Sequence, residues 1–81
     1  MRKEQLIKTF DNAILEKSKF VFVFLTAEDV KEVICIPHFS LEDKILFYEN
    51  AYDENLKHVM NKDVFITNVL HGDSDILNNI K

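Results

Sequence analysis

Phe20-Val21-Phe22-Val23-Phe24-Leu25 is apolar at every position. Side chains alternate between the two faces of a strand. Phe20, Phe22 and Phe24 therefore share one face, and Val21, Val23 and Leu25 share the other. Neither face is polar, so the strand needs cover on both sides. A chain of 81 residues has few elements with which to supply it. Either helices lie on both faces, or another protein chain completes one of them. Lys17 and Lys19 before the run, and Glu28 and Asp29 after it, are the charges expected to guard an aggregation-prone window. The run is far too short to span a bilayer.

The rest of the chain falls into place around this strand, read as 19–27. Upstream, Leu6, Ile7, Phe10, Ala13, Ile14 and Lys17 recur at spacings of three and four, which predicts a helix over 3–17. Downstream, Thr26-Ala27-Glu28-Asp29 forms a short hairpin connection without the Asn-Gly signature of a two-residue turn. A second strand follows over 31–37, with Pro37 at its end or on an edge because it cannot donate to a ladder. Ser40 is a suitable N-cap for a long helix over 41–59, with Glu42 and Asp43 near the positive end of its dipole. Leu41, Ile45, Tyr48, Tyr52, Leu56 and Val59 form its apolar stripe, and Leu46 and Phe47 lie off it. A strand at 45–48 is the competing assignment. Asn61-Lys62-Asp63 is a turn, 64–70 a third strand, and 75–80 a short terminal helix capped by Ser74.

This order, α-β-β-α-β(-α), predicts a single α+β domain spanning 1–81. It has two main helices and a three-stranded sheet with the first strand in the middle. Strands one and two pair antiparallel. With strand three on the far side of strand one, strands two and three run parallel, joined by the long helix in a right-handed crossover. Both helices then cover one sheet face and leave the other open. That arrangement predicts a homodimer through Phe20, Phe22 and Phe24, or an obligate partner.

Composition narrows the class. An apolar fraction of 47% argues against disorder, and a single Gly and a single Pro leave little room for long loops. Cys35 is the lone cysteine, so no intrachain disulfide forms. It reads as a small buried hydrophobe. The basic start Met1-Arg2-Lys3 leads into an amphipathic segment rather than a signal-peptide core, and the cytosol is the expected compartment. The net charge of −4 is uneven. Residues 1–27 carry five basic and three acidic groups, whereas residues 28–75 carry four basic and eleven acidic ones. A duplex-binding surface has the opposite sign, so direct nucleic-acid binding is not expected.

Signals for chemistry are weak. Gly72 stands alone, so there is no phosphate loop. His38, His58 and His71 lack zinc-site spacing, and Cys35 and His38 point to opposite faces of a strand. Asp73-Ser74-Asp75 lacks the remaining ligands of a calcium loop and reads as a helix start. No catalytic residue, metal or cofactor is expected. The candidate contact surface is the apolar and acidic flank of the long helix: Glu42, Phe47, Tyr48, Glu49, Ala51, Tyr52, Asp53 and Glu54. Tyrosine suits interface rims, where the ring is buried and the hydroxyl wet.

The segment Phe47-Tyr48-Glu49-Asn50-Ala51-Tyr52-Asp53-Glu54-Asn55-Leu56-Lys57, followed by Val64-Phe65-Ile66-Thr67-Asn68, resembles small phage and prophage proteins of low-GC Gram-positive bacteria. The resemblance covers roughly residues 33–72. It implies a setting rather than an activity and assigns no catalytic residue. Together these readings give the expectation of a small, acidic, non-enzymatic module that occupies a surface on a protein partner. A basic host protein fits, as for an inhibitor of a nucleic-acid-binding or defence protein. A structural homo-oligomer, such as a phage accessory or assembly component, is the alternative.

Overall fold

The computed structural model describes residues 1–73 of the chain. Helix α1 spans Lys3–Leu15, strands β1 and β2 span Phe20–Ala27 and Val30–Pro37, helix α2 spans Leu41–Ala51, and strand β3 spans Val64–Gly72. A single 3-10 turn, His38–Ser40, leads from β2 into α2. The expected terminal helix at 75–80 lies outside the described residues. The strands form one sheet in the order β2-β1-β3. β1 is antiparallel to both neighbours, so β2 and β3 run in the same direction and α2 connects them. The α+β architecture with a central first strand is the one the sequence predicts.

Helix α1 buries Leu6, Phe10 and Ala13, spaced four and three apart. Its first turn is closed by Gln5, whose Oε1 accepts the Arg2 N–H at 2.7 Å. Its last turn closes at Leu15, two residues before the expected end, in a Schellman arrangement. The Ser18 N–H donates to the Ala13 carbonyl and the Lys17 N–H to the Ile14 carbonyl. Lys17 takes the left-handed conformation (φ 56°) that this motif requires, a position usually held by glycine.

The β1–β2 hairpin turns on Glu28 and Asp29, both at positive φ (50° and 69°), with Ala27 and Val30 as the last pair. Positive φ at both central residues is the type I′ geometry, whose twist matches that of the strands. Geometry therefore overrides the missing Asn-Gly signature. The tip is held from outside, because the Glu28 N–H donates to the Asp63 carbonyl at 3.1 Å.

Both helices pack on the Val21, Val23 and Leu25 face of β1. The core joins these three to Leu6, Phe10 and Ala13 of α1, Leu41 and Tyr48 of α2, Tyr52, Leu56, Ile36, and Ile66 and Val69 of β3. Strict alternation would send Ile66 and Val69, three apart, to opposite faces. A bulge resolves this: Phe24 pairs with Asn68 but Leu25 pairs with Ile66, leaving Thr67 over. The Thr67 hydroxyl donates to the Phe24 carbonyl at 3.2 Å.

Helix α2 ends at Ala51, well short of the expected 59. Asp53 turns the chain there. Its Oδ1 accepts the N–H groups of Asn55 and Lys57 (2.9 and 3.0 Å), and its Oδ2 accepts a hydrogen bond from Lys62 Nζ at 2.8 Å. The Lys62 hydrogen bond and the two backbone donors hold the Asp53 carboxyl down at about 2. Leu56 follows in the left-handed region (φ 61°) and is fully buried. The chain then runs beside β3, with the Ile66 N–H donating to the Leu56 carbonyl and the His58 N–H to the Val64 carbonyl, both at 2.8–2.9 Å. Tyr52 and Leu56 keep the helical spacing in sequence but reach the core from an extended segment and a turn.

Candidate functional site

Among the described residues no metal centre assembles. No group of three His, Cys, Asp or Glu residues is placed to hold an ion, and no ligand-sized pocket forms. No described helix is long and apolar enough to cross a membrane. One cluster has the composition of a hydrolytic triad. Ser18 Oγ lies 2.8 Å from His71 Nδ1, and His71 Nε2 lies 3.9 Å from a Glu16 carboxylate oxygen. Its geometry does not suit catalysis. Ser18 is buried, no cavity adjoins it, and the His71–Glu16 distance exceeds a hydrogen bond. The cluster instead fastens the α1–β1 turn to the ends of β2 and β3. His38 Nδ1–H donates to the Ser18 carbonyl at 2.8 Å, and the His38 N–H donates to the Lys19 carbonyl at 2.9 Å.

The outer face of α2 is the most distinctive exposed surface. A helix advances about 100° per residue. Opposite the buried Leu41 and Tyr48 lie Glu42, Asp43, Leu46, Glu49 and Asn50 within one arc, with Phe47 at its margin and Phe39 continuing it from the 3-10 turn. All are exposed. Phe39, Leu46 and Phe47 have 86%, 59% and 48% of their surface open to solvent. Three large apolar side chains thus stand among three carboxylates. Glu42 and Glu49, seven residues apart, are separated by about 10 Å along the axis. Lys44 Nζ sits 5.3 Å from the centroid of the Phe47 ring, the one basic group of α2 and at the edge of this face.

The sequence-derived contact residues divide accordingly. Glu42, Phe47 and Glu49 come together on this face. Tyr48 and Tyr52 do not: both are buried in the helix-side core, ring to ring at 5.6 Å, and Tyr48 also lies 5.7 Å from Phe10. Desolvation by burial, with a smaller contribution from Tyr52, pushes the Tyr48 hydroxyl up to about 12, and burial raises that of Tyr52. Ala51 is half-buried against the core. Asp53 and Glu54 fall beyond the helix end, where Asp53 organises the turn and Glu54 remains exposed. Leu46 and Phe39 are the additions. Leu46 stands off the apolar stripe in sequence, and an apolar residue off the stripe of a short amphipathic helix is the signal that finds it.

Phe20, Phe22 and Phe24 occupy the sheet face away from the core. Opposite them lie Pro37, Cys35 and Val33 of β2, and Gly72, Leu70 and Asn68 of β3. Phe20 and Phe24 are half-buried and Leu70 is 47% exposed, yet Phe22 is only 2% exposed. Compared with known proteins, the chain matches no family model, and no curated protein or solved structure matches it significantly.

Proposed function

We propose that this chain is a non-enzymatic interaction module that uses the outer face of α2 to occupy an apolar, basic-rimmed surface on a protein partner. The observation that carries this reading is the exposure of Phe39, Leu46 and Phe47 among Glu42, Asp43 and Glu49 on one continuous face. Apolar groups at the centre of a contact supply affinity, and surrounding charges steer association and reject wrong partners. Exposing these three side chains does nothing for the fold, because Leu41 and Tyr48 already anchor the helix from its other side. The excess of carboxylates over residues 28–75 extends the same sign of field around the patch. The complementary chemistry is cationic with an apolar centre, as on a protein that itself binds nucleic acid. Inhibition of such a protein, by a module encoded in a phage or prophage, is the form of this proposal that the sequence resemblance favours.

A photo-crosslinking residue at Leu46 tests the reading when compared with one at Lys8 on α1. The expected result is a specific adduct in host extract from position 46 alone. With the crosslinked protein purified, E42K/E49K slows association about tenfold or more and flattens its salt dependence. Equal crosslinking from both positions, or binding unchanged by charge reversal and by high salt, overturns it.

A further inference from the structure

The two edges of the sheet are finished differently. β3 is closed on its outer side. The Ile66 N–H donates to the Leu56 carbonyl and the His58 N–H to the Val64 carbonyl, both at 2.8–2.9 Å, and Lys57 bridges to Phe65. Farther along, the Val69 N–H turns to Asn68 Oδ1 at 2.9 Å. β2 is the other edge. The type I′ turn makes Ala27 and Val30 a hydrogen-bonded pair. By alternation Glu32, Ile34 and Ile36 also bond to β1, while Lys31 and Val33 aim their N–H and C=O groups outward. No strand or backbone group among the described residues meets those of Lys31 and Val33. The flank of this edge is apolar as well. Val30 and Ile34 lie on the helix-side face of the sheet, where they are 58% and 38% exposed. An edge strand with bare apolar side chains is a template for pairing with another strand.

We propose that the occupant of the β2 edge is β2 of a second copy of this chain, paired antiparallel about a two-fold axis at Val33 to give one continuous six-stranded sheet. The closed outer side of β3 bars β2 of one copy from pairing with β3 of another. Association therefore ends at a dimer instead of running on as a fibre. Charge and hydrogen bonding select the register. Centring the axis on Lys31 or on Glu32 sets like charges directly opposite each other, which is destabilising. Centring it on Ile34 sets Lys31 against Pro37, which has no N–H to give. Centring it on Val33 avoids both. The two Val33 residues then face each other, Glu32 faces Ile34 of the second copy, and Val30 faces Ile36 of the second copy. The two Ile34 side chains become diagonal neighbours on the helix-side face, within reach of each other. Each copy thus covers the apolar flank that the other leaves bare. The proposal does not rest on the function assigned to α2.

The experiment uses the full chain from low micromolar to millimolar concentration. Light scattering is expected to show a monomer passing to a dimer. Amide exchange locates the contact. The outward N–H groups of Lys31 and Val33 are expected to exchange about tenfold or more slowly at the highest concentration than at the lowest, whereas those of Glu32 and Ile34, bonded to β1, do not change. Val33→Pro removes an outward donor and leaves the ladder to β1 intact, so it is expected to give a folded monomer. V33K, which sets like charges opposite each other on the axis, is expected to do the same and stands in where the proline variant does not fold. A chain that is monomeric at millimolar concentration overturns the proposal. So does a dimer that survives V33K, or one in which Lys31 and Val33 gain no protection. Protection that persists in the monomer would make the chain's own backbone the occupant. Protection that appears only on adding host extract would make it a strand of another protein. Either result also overturns the proposal.

Discussion

The two faces of β1 are equally apolar in sequence and unequal in structure. The Val21, Val23 and Leu25 face lies under both helices and joins residues from every regular element of the described fold. The Phe20, Phe22 and Phe24 face has the larger side chains, yet no described helix covers it. Size accounts for part of this. Layers in a packed core approach to about 10 Å, and a row of two valines and a leucine leaves room for Leu6, Phe10 and Tyr48 to enter from the helices. A row of three phenylalanines would hold those helices off. Periodicity therefore groups side chains by face, and side-chain volume decides which face receives the helices.

The sharpest break of this comparison is one charge placed on each face. Val23→Asp buries a carboxylate among Phe10, Val69 and their neighbours in the fully enclosed core. It is expected to cost more than about 4 kcal/mol, comparable with the whole stability of a domain this small. Circular dichroism should show no cooperative unfolding transition. Phe24→Asp, on the half-buried opposite side, is expected to cost about 1–2 kcal/mol and to leave a folded chain. Equal damage from both variants would remove the distinction between the faces.

Much of this was legible from residues alone, and the misses share one cause. The β-propensity of the Phe and Val run at 20–25 and the 3, 4 spacing of Leu6, Phe10 and Ala13 report backbone type directly, so those elements are recoverable. Tyr52 and Leu56 continue the helical spacing of Leu41, Ile45 and Tyr48, but they are buried from non-helical backbone. Spacing says that a residue faces the core and not which backbone brings it there. Asp53 was the available signal, since a side-chain acceptor two and four residues before unpaired N–H groups competes with helix continuation. At the candidate site the same ambiguity drew Tyr48 and Tyr52 outward as contact residues, whereas Glu42, Phe47 and Glu49 lie off the stripe of Leu41, Ile45 and Tyr48 and are exposed on the helix.

Thr67 offers a subtler way to sharpen the contrast. The bulge exists because Ile66 and Val69 both serve the covered face while Asn68 serves the other. Deleting Thr67 leaves Ile66, Asn68 and Val69 in strict alternation. The ladder to β1 can then run without interruption, and the expected change in stability is within about 1 kcal/mol. Deleting Leu70 instead sends His71 to the wrong face, separates it from Ser18, and is expected to be far more damaging. Amide exchange across β1 and β3 distinguishes the cases. A Thr67 deletion that unfolds the protein would mean that the bulge sets the strand's curvature and not merely its register.

The covered side also carries its own reporter, because both tyrosines of the chain belong to it. Desolvation raises the Tyr48 hydroxyl from its ordinary 10 to about 12, so the folded state keeps a proton that the unfolded state releases first. The stabilisation is complete below pH 10 and is lost as pH climbs from 10 to about 12. Alkaline unfolding is therefore expected in that window, with phenolate absorbance appearing together with loss of structure. Tyr48→Phe keeps the ring contacts with Phe10 and Tyr52 and should shift the transition upward in pH. An unchanged midpoint would assign the alkaline limb to other groups.

The smallest expected effect concerns the joint that delivers the chain from the covering helix to the covered strand. Lys17 holds a left-handed conformation at φ 56° because the Schellman arrangement at the end of α1 requires one, and a Cβ there crowds the following carbonyl oxygen. Glycine adopts this conformation without that penalty but loses more entropy on folding. The two terms nearly offset elsewhere in a protein, whereas at a left-handed position the steric term wins. Lys17→Gly is expected to raise stability by about 0.5–1 kcal/mol in chemical denaturation, with the denaturant slope unchanged. Lys17→Ala separates the causes, since it keeps the Cβ and removes the charge. A gain in both variants would trace the effect to charge beside Lys19 and the N-terminal end of β1. A gain in the glycine variant alone would trace it to the backbone, and would show that entry into the two-faced strand is strained while the strand itself is not.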